Sequence, residues 1–438
     1  MIKSKTFLAV SVSVCILFLS MSLFYAAAQD LLANKTPSAS TYTVFTDNLG
    51  DYIAETNDKT QVYTGSDAST IINDALQHNL YTPITIDISD GTYPLKAPLI
   101  PADGDTITGD SLATILEPMG NFSAIDCDNM GYITISNLGI RGTGQAGGSI
   151  GIQITMSNYV TISYVTITSC NVGILINGAY QTKIDHVMLP YSIPSDQCYN
   201  GIQAIYNPLR VNEVAITNTQ IQSPVNDGII IQGGDGVYCA GTGVEMAGNI
   251  GFLIGGESGG GVTHYVHFDQ TWADAGYYSS GIGYVFQGNT NASYIYQLTN
   301  MWAMGYAYGA IFNNIKQTTI DNFYGNDIQY NGIVIGDCQD VSITGGTMVG
   351  WDRGDTGTCT GIYIYNDEGV ASDININGMS FVNTHTAASS IYVGPYTMRT
   401  TLVDCNTAQA QPIIDQGGLH TEVSDCWNST TWINNWGN

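Results

Sequence analysis

Basic residues are scarce in this chain of 438 residues, which has 11 Lys and Arg against 37 Asp and Glu. The formal charge of −26 produces a field that repels nucleic acid and other polyanions. We therefore exclude nucleic acid as a partner. A polyanionic substrate would need Ca²⁺ to bridge two sets of carboxylates, so Ca²⁺ stays open as a cofactor, although nothing requires one. Solubility, or adaptation to a salty medium, explains the acidity equally simply.

Only the N-terminus carries a long apolar run, which extends from Phe7 to Phe24 behind the basic Lys3 and Lys5. Small residues at 26–28 then offer a cleavage site. We predict that residues 1–28 are a signal peptide; the alternative is an uncleaved anchor, because the run is long enough to span a bilayer. The protein is therefore expected to be secreted or held at the cell surface, with membrane contact confined to this segment.

Long helical patterns are scarce, and the chain instead repeats one short pattern. Each repeat is a glycine, followed by two or three apolar β-forming residues and then by polar turn residues. The repeat glycines are Gly151, Gly173, Gly201, Gly228, Gly251, Gly283, Gly309, Gly332 and Gly361. Such self-similarity without intervening helices predicts an all-β solenoid. A solenoid has a long, regular side wall, and this shape suits a long polymer as partner.

A short helix is predicted ahead of the repeat. Ser66 or Asp67 can cap it, and Ile71, Ile72 and Leu76 lie on its apolar face. Because the end of a solenoid exposes strand edges, we expect this helix to cover the first coil. The predicted organisation is a polar leader (29–64), the solenoid domain (65–427) and a C-terminal tail or cap (428–438).

Eight cysteines lie beyond Cys15, and an exported protein can pair them in disulfides. Cys170 and Cys198 each lie three residues before a repeat glycine, while Cys405 and Cys426 each end an Asp-Cys step one repeat apart. Stacked positions lie roughly 4.8 Å apart, which is within disulfide reach. Both pairs are disulfide candidates; the alternative is stacked free cysteines that fill the core.

Asparagine often stands just before the repeat glycine. The positions are Asn171, Asn200, Asn226, Asn249 and Asn331. Asparagine tolerates left-handed turn conformations, and stacked amides can bond along a solenoid. We therefore predict a structural ladder here, not a functional site.

The order of segments near the N-terminus resembles the opening of the pectate-lyase-like right-handed parallel β-helix superfamily. The segments are Asp67–Leu76, Ile84–Ile88, Asp90–Leu95, Pro98–Pro101 and Ile107–Gly109. This resemblance implies a single-stranded right-handed parallel β-helix of roughly 10–13 coils. The family includes pectin-active enzymes, other polysaccharide hydrolases and lyases, and phage tailspikes. Because some members trimerise, the resemblance also leaves a homotrimer open.

The catalytic signatures of this family are mostly missing. Asn226-Asp227 resembles only the first of the four polygalacturonase-type steps. Asp185-His186 matches a pectate lyase segment only in part, because Lys183 stands where that segment has Trp. A glycoside hydrolase is therefore favoured over a pectate lyase.

Glycoside hydrolysis needs two carboxyl groups roughly 5 to 9.5 Å apart, a spacing that adjacent coils provide. Asp235 and Glu257 follow the glycines of neighbouring repeats by seven and six residues. His267 and Asp269 share one face of any strand there, and a His beside a carboxylate can act as general acid or base. These four are our candidate catalytic residues; solvated turns and faces are the alternative explanation. No tight metal-ligand motif is present, so metal ligands stay unknown.

Aromatic residues concentrate between 264 and 330, where sugar rings could stack on them. We predict Trp272, Tyr277, Tyr278 and Trp302 as substrate-binding residues, with core packing as the alternative. The sequence thus predicts an exported β-helix protein that binds a polysaccharide or cell-surface glycan and can cleave it. The alternative is a non-catalytic surface, structural or adhesin-like protein.

Overall fold

The computed structural model describes residues 40–78, 82–206, 211–256, 263–276, 280–288, 293–353, 357–367, 371–382, 389–407, 413–416, 420–426 and 433–434. These residues form one α-helix, α1 (Ala68–Leu76), two short 3₁₀ segments (Gln145–Gly147 and Pro194–Asp196) and otherwise strands. The predicted all-β fold is confirmed. In this described part of the chain, no helix is long and apolar enough to cross a membrane.

The strands follow one another in short segments separated by turns. In chain order they are β1 (Ser40–Thr46), β2 (Tyr52–Thr56), β3 (Val62–Gly65), β4 (Ile84–Ile88), β5 (Gly91–Leu95), β6 (Thr106–Gly109), β7 (Thr114–Pro118), β8 (Ser123–Asp128), β9 (Thr134–Arg141), β10 (Ile150–Thr155), β11 (Asn158–Thr168), β12 (Val172–Asn177), β13 (Tyr180–Asp185), β14 (Met188–Leu189), β15 (Asn200–Ile205), β16 (Val211–Thr217), β17 (Gln220–Gln222), β18 (Ile229–Ile231), β19 (Gly234–Ala240), β20 (Gly243–Glu245), β21 (Ile250–Gly255), β22 (His264–Asp269), β23 (Trp272–Asp274), β24 (Ile282–Gln287), β25 (Ser293–Thr299), β26 (Trp302–Met304), β27 (Tyr308–Asn313), β28 (Ile315–Asn326), β29 (Ile333–Gly336), β30 (Gln339–Val349), β31 (Thr360–Tyr365), β32 (Ser372–Asn377), β33 (Ser380–Val382), β34 (Ser389–Val393), β35 (Met398–Val403), β36 (Ile413–Asp415), β37 (Glu422–Ser424) and β38 (Ile433–Asn434).

Each regular coil contributes to three faces of a parallel solenoid. The glycine-led strands stack into a 13-stranded sheet, the first sheet, which matches the predicted 10–13 coils. The other 25 strands form a continuous sheet that bends once in every coil. We call the part before the bend the second sheet and the part after it the third sheet. The bend residue has a positive φ in successive coils, at Asn137, Tyr164, His186, Asn218, Gly241, Gln270, Asn300, Asn322, Gly345 and Gly378.

The N-terminal end is closed by α1 and by strands β1 to β3. The α1 helix begins after Asp67, whose carboxylate accepts a hydrogen bond from the Ser69 N–H at 3.1 Å. Ile72 and Leu76 on its apolar face are fully buried, so the prediction of a capping helix is confirmed. Strand β1 pairs in parallel with β4, and part of the predicted leader therefore belongs to the solenoid wall. The predicted signal peptide and most of the C-terminal tail lie outside the described residues.

The polar ladder predicted before the repeat glycines is present around Asp227. This residue is 6% exposed, and its carboxylate accepts hydrogen bonds from the Ile250 N–H at 3.0 Å and from Asn226 and Asn249. Burial raises the pKa of Asp227, while these donors oppose the rise. Asn226-Asp227 therefore holds neighbouring coils together.

Both candidate cysteine pairs lie on adjacent coils, as their spacing predicts. The Cys170 and Cys198 thiols are buried, and the hydrogen bond between them, together with burial, raises the pKa of Cys170 well above its usual range. Burial also raises the pKa of Cys405 to about 12, and the neighbouring Cys426 adds to this rise. All four are thiols in this structure, so their oxidation stays a prediction.

We predict that the exported protein carries Cys170–Cys198 and Cys405–Cys426 disulfides. Non-reducing peptide mapping by mass spectrometry is expected to recover both cross-linked pairs. Reduction is expected to lower the free energy of unfolding by about 2–4 kcal/mol per bridge, because each bridge restricts the unfolded chain. Cys127 and Cys239 are internal controls, since their described register partners are not cysteines. Recovery of all four candidates as free thiols from oxidised protein would contradict the prediction.

Candidate functional site

The predicted site residues fall mainly on one coil, that of β22 and β23. His267 and Asp269 face outward from the second sheet, because Val266 and Phe268 between and beside them are buried. Trp272 faces outward from the third sheet, just past the bend. The remaining predicted residues of this region, Glu257, Tyr277 and Tyr278, lie outside the described residues.

Asp235 is separated from Asp269. It lies inside strand β19, where a turn was expected, and its register partner on the next coil is His264. His264 and Asp269 stand at opposite ends of β22, about 15 Å apart along the extended chain. From the repeat glycines, Asp235 was expected to lie level with Glu257. The connection from β21 to β22 is longer than that from β18 to β19, and Asp235 is in register with His264 instead. Asp235 and Asp269 therefore do not form one catalytic pair.

The histidines of the second sheet stack on tyrosines of adjacent coils. The ring centroids of His267 and Tyr238 are 5.2 Å apart with planes 10° from parallel, and those of His264 and Tyr294 are 5.8 Å apart at 9°. The Asp269 carboxylate accepts a hydrogen bond from the Asn300 side chain at 3.2 Å. His267 and Asp269 share a face, as predicted, and each also has a structural partner.

Three aromatic side chains on successive coils face outward from the third sheet. Trp272 is in register with Trp302, and Trp302 with Tyr324. The Trp302 and Tyr324 ring centroids are 6.4 Å apart. The two tryptophans are half-buried, whereas Tyr324 is 39% exposed. We call Trp272, Trp302 and Tyr324 the aromatic shelf.

A glycine makes room for the first ring of this shelf. Gly243 is the register partner of Trp272 on the preceding coil. A Cβ atom added to Gly243 would overlap the Trp272 indole at Cε2, Nε1 and Cζ2. The indole therefore lies along the sheet over the backbone of Gly243, so that the ring covers the preceding strand.

Buried aromatic residues support the shelf from inside. The fully buried Tyr284 donates its hydroxyl hydrogen bond to the Trp302 carbonyl at 3.1 Å and lies 3.3 Å from the Thr271 hydroxyl. Burial raises the pKa of Tyr284 far above its usual range, so the hydroxyl keeps its proton. The Tyr284 ring also stacks on Phe252 at 4.9 Å. These contacts fix the backbone that carries the shelf.

Two carboxylates lie beside the shelf on adjacent coils. Glu245 and Asp274 are register partners, so their Cα atoms are about 4.8 Å apart. The side-chain amides of Gln220 and Gln222 donate to Glu245 at 2.6 and 3.2 Å. The Gly276 N–H donates to Asp274 at 2.7 Å. Both carboxylates are thus held in place at the shelf edge.

Sequence reasoning missed Glu245, although a signal for it exists. Gly243-Val-Glu245 and Trp272-Ala-Asp274 are similar steps separated by one repeat. Aligning strands of the third sheet, instead of the repeat glycines, would have paired the two acids. In the part of the chain that the structure describes, no three His, Cys, Asp or Glu side chains form a metal-binding group.

The fold is similar to several solved structures. The mannuronan C-5 epimerase AlgE6 A-module of Azotobacter vinelandii is 14% identical, with a TM-score of 0.51, over 82% of this chain and 95% of that one. The catalytic unit of a GH87 α-1,3-glucanase from Streptomyces thermodiastaticus is 13% identical, with a TM-score of 0.54, over 84% of this chain and 68% of that one. The tailspike receptor-binding protein of bacteriophage Det7 is 11% identical, with a TM-score of 0.51, over 79% of this chain and 74% of that one.

These likenesses establish the fold, which is the right-handed parallel β-helix predicted from the sequence. No family model matches the chain, and no curated protein is similar to it in sequence. The chemistry of the site must therefore be argued from its own residues.

The substitution Gly243→Ala is expected to displace the Trp272 indole from the sheet. The added methyl group overlaps the ring, and such overpacking typically costs about 1–3 kcal/mol if the ring cannot move. We expect either a lower unfolding midpoint or a red shift of tryptophan emission that disappears in the Gly243→Ala, Trp272→Phe double variant. Gly131→Ala is the control, since a Cβ there meets only ordinary contacts at 3.7 Å and beyond. Unchanged stability and emission in Gly243→Ala would contradict this placement of the ring.

Proposed function

We propose that this chain binds a polysaccharide along the third sheet, with sugar rings against the aromatic shelf. The observation that carries the proposal is the register of Trp272, Trp302 and Tyr324, which face outward on three successive coils. Aromatic rings accept the apolar C–H faces of sugars, and adjacent carboxylates and amides accept or donate hydrogen bonds to hydroxyls. Three aligned rings favour a chain of sugars over a single one.

The direction of the polymer follows from the geometry of the solenoid. Neighbouring strands lie about 4.8 Å apart, so the three rings cover about 10 Å along the solenoid axis. A glycan laid along this axis meets the rings one after another. Glu245, Asp274 and the amides that hold Glu245 border the same track. The similar structures, which are a mannuronan epimerase module, an α-1,3-glucanase and a phage receptor-binding protein, support a glycan as partner.

Hydrolysis is a second candidate function, favoured by the register pairing of Glu245 with Asp274. Glycoside hydrolysis requires one carboxylic acid to protonate the leaving oxygen and a second carboxylate to act as nucleophile or base. Carboxyl groups on adjacent coils can approach the short separation of retaining enzymes, roughly 5–5.5 Å. Glu245 and Asp274 border the shelf directly, which makes them stronger candidates than Asp235. Because the sequence predicts export, the substrate would be an extracellular or cell-surface glycan.

Loss of either indole is expected to weaken polysaccharide binding. Trp272→Ala and Trp302→Ala should each raise the Kd for a bound polymer about tenfold or more, because buried aromatic anchors dominate such interfaces. Affinity electrophoresis in gels that contain α-glucan, β-glucan, mannan, polygalacturonate or a glucosamine polymer measures the effect. Tyr396→Ala is the matched control, since this tyrosine is 73% exposed and lies beyond the shelf, near the C-terminal coils. The proposal fails if no polymer retards the wild type, or if both tryptophan variants bind like the wild type.

Conservative neutralisation of the carboxylate pair tests hydrolysis. Glu245→Gln and Asp274→Asn should each lower the release of reducing ends by about 10²–10⁴-fold while polymer binding persists, since general acid–base groups contribute this much. Asp269→Asn serves as the competing variant, because Asp269 was predicted from the sequence. If Asp269→Asn greatly lowers the release of reducing ends and Glu245→Gln does not, the catalytic carboxylate would be Asp269, beside the bend. Binding without any turnover would favour the alternative of a non-catalytic surface protein.

A further inference from the structure

The segment that carries both tryptophans of the shelf contains no Lys or Arg. Between residues 211 and 315 the sequence contains seven acidic residues and no Lys or Arg. This segment includes strands β16 to β27 and therefore both tryptophans of the shelf. The seven acidic residues of this segment are therefore not balanced by any basic residue within it.

Acidic side chains flank the shelf on both sides. Glu245 and Asp274 stand two residues beyond the row of rings. On the bend side, Asp269 and Asp321 each lie three residues before the ring of their own coil, at the outward positions that end the second-sheet strands. Four carboxylates thus border three aromatic rings.

The described basic residues that follow this segment in the chain have other partners. Lys316 lies over the Tyr294 ring, 5.9 Å from its centroid, at the far edge of the second sheet. Arg353 pairs with Asp327 at 3.9 Å in the loops beyond the third sheet. Neither interaction involves the four carboxylates at the shelf, so among the described residues neither of these two cations pairs with them.

Aromatic faces and carboxylates together select for a cationic group. An ammonium ion is attracted to the face of an indole, and a carboxylate forms a stronger hydrogen bond with it than with a hydroxyl. The surrounding negative field attracts a polycation and repels a polyanion. A neutral sugar would gain only stacking and ordinary hydrogen bonds from the same surface.

We infer that the polysaccharide bound by the aromatic shelf carries free amino groups, as a polymer of amino sugars does when it is not N-acetylated. This inference rests on the proposed function, whose site it specifies. The ammonium groups lie against Glu245, Asp274 and the indole faces, while the sugar rings follow the row of aromatic side chains. A polyuronate is disfavoured at this site.

The test compares oligosaccharides of equal length that differ only in N-acetylation. Isothermal titration with the full chain measures the Kd for glucosamine hexamer and N-acetylglucosamine hexamer at pH 5.5, in low and high salt. We expect the amine form to bind at least tenfold more tightly, and this preference to shrink as salt screens the charges. The double variant Glu245→Gln, Asp274→Asn should lose the preference and retain weak binding of the acetylated hexamer.

The control carries the same change in net charge away from the shelf. Asp110→Asn with Asp128→Asn removes two exposed carboxylates near the N-terminal coils, and this variant should keep the preference. Equal affinity for both hexamers, with Trp272→Ala weakening both, would overturn the inference and leave the proposed function intact. A hexalysine peptide that binds as tightly as the glucosamine hexamer would assign the surface to a basic peptide and also overturn it. If no glycan binds, the proposed function itself fails.

Discussion

The close stacking of one coil on the next is the constraint on which the rest of the molecule depends. At the repeat glycines the backbones approach so closely that a Cβ on Gly251 would lie 2.6 Å from the Gly283 carbonyl oxygen, and one on Gly283 would lie 2.6 Å from that of Gly309. Real Cβ atoms do not approach oxygen this closely, so glycine is required there. The same contact sets the register, which converts a spacing along the sequence into a row along the solenoid wall.

Rows of equivalent residues stabilise the solenoid and also form the proposed binding surface. Inside, Phe286 and Phe312 stack at 5.0 Å with nearly parallel planes, and Phe252 stacks on Tyr284. Outside, Trp272 and Trp302 occupy equivalent places on the coils that surround this aromatic core. The rings of the shelf therefore rest on the most aromatic part of the interior. Because the packing below already fixes the shelf side chains, they lose little conformational entropy when a ligand binds.

The fold was readable from the sequence because its signals are local and repeated. The glycine spacing, the Asp67 cap and the offset of Cys170 and Cys198 each depend on one coil or on the step to the next. Residue spacing alone could not show which face carries a side chain after a bend. Nor could it show that the long connection from β21 to β22 brings His264, and not Glu257, into register with Asp235.

The site was therefore only partly predictable. Trp272 and Trp302 both precede Ala, one repeat apart, and their adjacency follows from this similarity. Glu245 lies two residues after Gly243 and has no aromatic residue in its own strand, so the sequence pattern did not indicate it as a site residue. Its importance appears only when β20 is laid beside β23, where Gly243 makes room for the indole of the next coil. The absence of a side chain at Gly243 thus makes room for the Trp272 indole of the next coil.

The three faces differ in the side chains that they present, and these differences favour the third sheet for the proposed recognition. From β10 to β34 the strands of the first sheet contain no charged residue, and Ile230, Val285 and Val334 in its outward row are only 6–7% exposed. Such a surface has neither carboxylates for a cation or a glycosidic oxygen nor accessible aromatic faces at these positions. The second sheet uses its histidines and tyrosines in stacks with each other. Among the residues that the structure describes, only the third sheet combines aligned indoles with ordered carboxylates. In the proposed function the same pair of acids serves charge recognition and proton transfer, because both roles need an acid held at the edge of a bound sugar.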